Sequence, residues 1–187
     1  MLRIASRARA VTDAARDAPS ADQAVAIVCE ALERRLVTLE ALRHEIELTA
    51  PAGNRTARLA LRAAEAGAWS VPESDLGSLV GSSRRLPLMW LNPSLSAPDG
   101  ARLPTPDGWF DDVGLAVQVH SWRWHSGREQ WDSTVMADGV RAEYGVAVVA
   151  VTPDAVRRSP ALVLGRLERV HRQACARLRP TVIAVPR

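Results

Sequence analysis

Two short apolar runs, Gly114–His120 (Gly-Leu-Ala-Val-Gln-Val-His) and Gly145–Val151, stand on either side of a stretch with helical spacing at Gln130–Tyr144. Runs this short, opened by glycine and rich in valine, suit strands of a sheet better than free-standing helices. The first is apolar enough to be central in a sheet, and the second reads as fully buried. A chain that places helices between such strands builds an α/β core. Two smaller pieces, Ala101–Thr105 and Gly108–Phe110, read as further strands, and Pro93–Gly100 as a loop around a Pro-Asp-Gly turn. Pro153 opens a last helical region that extends to Arg179. The expected order is helix, three strands, helix, strand, helix: a mixed sheet of about four strands flanked by helices.

Ahead of this core the first third of the chain is helical in period. Ala24, Ile27, Val28, Ala31 and Leu32 recur at helical spacing within Ala21–Leu36, with Ser20 as the N-cap. Thr38 caps a second helix over Leu39–Leu48, and Pro51–Gly53 breaks the pattern. Asn54 starts a helix through Arg55–Ala66 that Gly67 stops. Ser70-Val-Pro-Glu then opens a helix that fades near Gly81; Pro72 is tolerated in a first turn, and Glu73 suits the positive helix end. The pattern divides the chain into a helical extension, 1–52, and an α/β domain, 53–187.

Composition removes several chemistries. All 24 basic residues are arginine, so there is no Schiff-base lysine, no phosphate-loop lysine and no lysine general base. The net charge of +3 is small but unevenly spread: residues 63–138 carry 5 Arg against 10 acids, and residues 139–187 carry 9 Arg against 3. An acidic centre followed by a basic tail suits a cation site beside a phosphate-facing surface, and equally an arginine-rich solvated helix. Cys29 and Cys175 show no ligand spacing and no disulfide framework, and both read as small buried hydrophobes on helix faces. No signal peptide is visible, and the longest apolar run, Val146–Val151, is too short to span a bilayer. The expectation is a soluble protein of the reducing cytoplasm with no membrane partner.

One stretch gathers reactive side chains. On a strand, Gln118 and His120 share one face while Val117 and Val119 share the other. Asp107 joins Gln118 and His120 if its segment forms a hairpin with theirs. A carboxylate, a carbonyl and histidines at one sheet edge suit a hard divalent metal that activates water against a phosphodiester. Each member also has a structural reading. Asp107 before Gly108 suits an Asx-type turn, and Asp111 and Asp112 suit a hairpin turn. His120 suits a strand-end surface histidine and His125 a helix cap. Glu73 suits a carboxylate on the helix dipole.

Glu73, Pro106-Asp107, the strand through His120 and the Gly145–Pro153 strand together resemble the PD-(D/E)xK restriction-endonuclease-like superfamily, over roughly residues 54–175. The branch most similar is the very-short-patch-repair-like domain of actinobacterial proteins, which Thr134–Gly139, Val149–Pro153 and Arg9–Arg16 also resemble. Relatives of this type carry Glu-x-Asp-Gly where this chain has Gln118-Val119-His120-Ser121, and the superfamily's lysine is missing. Very-short-patch-repair endonucleases lack that glutamate and lysine as well. They have an Asp, a His 13 residues later and a second His 5 further on, as in Asp107, His120 and His125, with an aromatic residue before the second His, as in Trp124. The resemblance implies a restriction-endonuclease-like fold and a DNA endonuclease. It implies Mg²⁺ bound by Asp107 and the Val119 carbonyl, His120 and His125 as acid/base and phosphate-contacting groups, and Glu73 supporting a metal-bound water. Gln118 would be a vestige of the glutamate, and Trp122, Arg123 and Trp124 would contact DNA. It also implies an upstream winged-helix module. The family's structural zinc cysteines have no counterparts. The lost glutamate leaves a second reading open: a catalytically silent nuclease-like domain that binds DNA or regulates.

Overall fold

The computed structural model describes residues 4–48, 53–120 and 128–186, with side chains from 135 onward in the last stretch. The chain divides into two compact units, Met1–Ser74 and Asp75–Arg187.

The first unit is helical: α1 (Arg7–Arg16), α2 (Ala21–Glu33), α3 (Leu39–Glu47), α4 (Arg55–Glu65) and the start of α5 (Val71–Gly81). The hydroxyls of Ser6, Ser20 and Thr38 accept from the backbone N–H three residues on (3.0, 3.2 and 3.2 Å), satisfying donors that a helix start leaves open. Asn54 stands at the start of α4, but its side chain makes no capping bond. Gly67, at φ +88°, ends the segment after α4 in the left-handed conformation that glycine adopts without strain. Ala24, Val28, Leu42, Ile46, Ala57 and Leu61 form the core of this unit. The preponderance of alanine lets α2 pack closely against α1 and α4.

The second unit is mixed α/β. Its main sheet has the order β1 (Trp90–Leu91), β4 (Gly108–Phe110), β5 (Leu115–Val119), β6 (Ala147–Val151). β1, β4 and β5 are antiparallel neighbours, and β5 and β6 run parallel. A parallel pair needs a long crossover, and α6 (Arg128–Glu143) supplies it. A second sheet has the order β3 (Arg102–Leu103), β2 (Ser94–Ser96), β7 (Ile183–Val185), all antiparallel. Leu95, Leu103, Trp109, Ala116, Val146 and Val182 form a core that draws on both sheets.

The structure corrects the sequence reading at several points. Pro93–Gly100 is not all loop, because Ser94–Ser96 forms the centre of the second sheet. Within Ala101–Thr105 the strand is Arg102–Leu103, and it pairs there. The strand within Gly145–Val151 is not fully buried: Ala147, Val148 and Ala150 keep partial exposure. The last helical region is two helices, α7 (Pro153–Arg158) and α8 (Pro160–Cys175). Pro160 disfavours helical geometry at Ser159, which sits at φ −138° and ψ 49°. Among the described residues no helix is long and apolar enough to cross a membrane.

Candidate functional site

The β4–β5 hairpin assembles the site. Its register pairs Gly108 with Val117, which sets Asp107 across from Gln118. Asp107 Oδ2 accepts from the Gln118 side-chain amide at 2.5 Å and from the Val119 backbone N–H at 2.6 Å. An ionised carboxylate offers acceptors only, so the Gln118 NH₂ group must face it and Oε1 must point away. That Oε1 is buried and has no hydrogen-bond partner among the described residues. The Asp-Gly step is not a turn: Gly108 belongs to β4, and a Cβ there would lie 2.7 Å from Met89 Sδ. A side chain at 108 would have to displace the end of Met89 and would crowd Val117 Cβ at 3.3 Å. Behind the carboxylate, buried Asn92 adopts a left-handed φ of 48° and donates its backbone N–H to the Asp107 carbonyl at 3.3 Å.

His120 follows β5 and extends its ladder by donating its N–H to the Val151 carbonyl at 2.8 Å. Its imidazole Nε2 stands 3.8 Å from Asp138 Oδ2 on α6. Asp138 also receives Arg141 Nη1 at 2.5 Å. Arg141, only 2% exposed, donates Nε to the Pro104 carbonyl at 3.2 Å and Nη2 to the Thr105 carbonyl at 3.0 Å. Burial lowers its pKa from the ordinary arginine value, and the charges of Asp138 and Asp107 act in the opposite direction. A guanidinium stays protonated under such opposition. It places one fixed positive charge behind the Asp107 segment. Nothing in the sequence pattern singles out Arg141 or Asn92; buried residues of these types are found only by locating their partners.

The remaining expected site residues have the following places. Glu73 belongs to the first unit, where its Oε2 accepts from the Trp69 backbone N–H at 2.7 Å and its Oε1 from the Ser70 hydroxyl at 2.8 Å. Both oxygens thus serve the start of α5, a variant of the capping box. His125, Trp122, Arg123 and Trp124 lie outside the described residues. Asp111 and Asp112 occupy the turn between β4 and β5, as expected. Cys29 is buried, its thiol donating to the Ala68 carbonyl at 3.4 Å, and burial beside Glu73 and Glu33 pushes its pKa up to about 11. Cys175 is exposed, contrary to the reading as a buried hydrophobe.

The basic tail divides by role. Arg141 is internal, Arg157 pairs with Asp75 at 2.6 Å, and Arg179 pairs with Asp111 at 2.7 Å. Arg166, Arg169 and Arg172 are exposed along α8, three residues apart, so they follow one side of the helix. Compared with family models, curated proteins and solved structures, the chain matches none.

Proposed function

We propose that the second unit is a restriction-endonuclease-like domain that hydrolyses DNA phosphodiesters with a divalent metal held at Asp107. The observation that carries this reading is the meeting of Asp107 with Gln118 and Val119 at the carboxyl end of β5, which His120 directly follows. Three antiparallel strands, a helix and a fourth strand parallel to the third also agree with the sheet that the resemblance implies. The donor set fits Mg²⁺, a hard cation that takes oxygen ligands. It comprises the Asp107 carboxylate and the Val119 carbonyl, and magnesium ordinarily keeps several waters besides. Bound there, the ion would supply Lewis-acid polarisation of the phosphate and a water of lowered pKa.

The chain's own groups have the remaining tasks. Asp107 anchors the cation while Gln118 and the Val119 N–H hold its carboxylate in place. His120 holds and returns a proton at Nε2, with Asp138 Oδ2 3.8 Å away. Arg166, Arg169 and Arg172 offer charges to the DNA backbone. Glu73 stays with its helix cap. The test is nicking of supercoiled plasmid with Mg²⁺ or Mn²⁺, abolished by Asp107→Ala and by His120→Ala. An absence of cleavage across a broad DNA panel would overturn it.

A second reading draws on the same Gln118–Asp107 hydrogen bond. An amide where the superfamily has a carboxylate neutralises half of the acidic pair, as a silent DNA-binding or regulatory domain would tolerate. That reading predicts salt-dependent DNA binding that is indifferent to Mg²⁺ and to Asp107→Ala.

A further inference from the structure

We propose that Asp112, His171 and Cys175 form a second metal site, suited to a zinc-class divalent ion. All three lie in the second unit, and their ligand atoms fall within 4.8 Å of one another. His171 and Cys175 are four residues apart on the last turns of α8, so one helix face presents both. Asp112 comes from the turn between β4 and β5.

The imidazole decides how the three would act. His171 Nε2 is 2.8 Å from Asp112 Oδ2, and His171 Nδ1 is 3.7 Å from Cys175 Sγ. An ionised carboxylate can only accept, so Nε2 carries the proton and Nδ1 turns its lone pair toward the sulfur. Zinc bonds of about 2.3 Å to sulfur and about 2.0–2.1 Å to nitrogen, at a tetrahedral angle, span roughly 3.6 Å between the two ligand atoms. The observed separation of 3.7 Å matches that span. Phe110, fully buried, meets the imidazole edge-on with centroids 5.3 Å apart at 72°, which fixes the ring plane. Asp112 on the far nitrogen is the carboxylate–histidine–metal arrangement that sets tautomer and ligand basicity. A thiolate and an imidazole select a borderline-soft ion over magnesium. Exposure of Cys175 and Asp112 leaves the other coordination positions to solvent or a ligand.

This site shares no residue with the one at Asp107, and its test is independent of any nuclease activity. Cobalt(II) added to the reduced full chain should bind at one ion per chain, with sulfur-to-cobalt charge-transfer absorption. Cys175→Ser and His171→Ala should remove that band, while Asp107→Ala and Cys29→Ala should keep it. Asp112→Asn should retain the band and weaken affinity by about 10–100-fold, an effect that a merely structural role would not produce. Circular dichroism of each variant guards against misfolding. Absence of the band, or its survival in Cys175→Ser, overturns the proposal. So does rapid alkylation of Cys175 in a chain that binds no cobalt, which would make the trio an activated thiol.

Discussion

Gln118 hands its amide to Asp107 at 2.5 Å, so the carboxylate is met by a neutral donor where a second acid would repel it. Gln118→Glu converts this contact into two like charges at hydrogen-bond distance. Without divalent metal the variant should lose about 1–3 kcal/mol of stability, the range for an unsatisfied or repelled buried group. Mg²⁺ or Mn²⁺ should restore most of it. Thermal unfolding with EDTA and with metal checks this, and a loss that metal does not reverse would mean that no cation sits between 107 and 118.

Arg141 is held by Asp138 and two carbonyls while almost fully buried. Removing the cation leaves those acceptors without their donor, so Arg141→Met should destabilise by roughly 2–4 kcal/mol. Arg141→Lys should recover only part, because one ammonium cannot meet acceptors in three directions of a planar fork. Urea unfolding midpoints at unchanged slope measure both.

Glu73 spends both oxygens on the residues before α5. Glu73→Ala should cost about 1–2 kcal/mol, the scale of a lost helix cap. It should leave plasmid nicking unchanged when assayed well below the melting temperature. Lost cleavage in a variant of normal stability would return Glu73 to the chemistry.

The buried Cys29 thiol, raised to about 11 in the folded protein, makes stability fall in alkali. Between its ordinary value near 9.0 and about 11 the unfolded chain has released the thiol proton while the folded chain keeps it. The unfolded state then binds fewer protons, and stability declines as pH rises. Two pKa units correspond to roughly 2–3 kcal/mol. Cys29→Ala should flatten that part of the stability–pH curve, measured by denaturant unfolding at pH 8, 9, 10 and 11. An unaltered slope would place the alkaline loss elsewhere.

Legibility from sequence followed the range of the interactions involved. The helices after Ser20 and Thr38 were readable because cap and period are local, and the Leu115–Val119 strand because its apolar residues are contiguous. Asp107 and Gln118 were readable as partners once a hairpin was assumed. Ser94–Ser96 was not, because a three-residue serine-flanked strand owes its place to partners on both sides, Arg102–Leu103 nearby and Ile183–Val185 far along the chain. Cys175 was misread for a geometric reason. The buried stripe of α8 includes Val163 and Leu167, and eight residues past Leu167 the helix has rotated by roughly 80°. Arg141 carries no sequence mark of burial, since a charged residue in a helical pattern looks like any solvated one.

The Arg141 fork also has a mechanical meaning. It clamps α6 to the backbone just ahead of Asp107, through bonds in fixed directions to consecutive carbonyls. The helix and the segment ahead of the carboxylate are therefore joined by directional bonds, so a shift of α6 would strain the backbone at 104 and 105 first. In a chain without lysine, that strut has no softer substitute already in use.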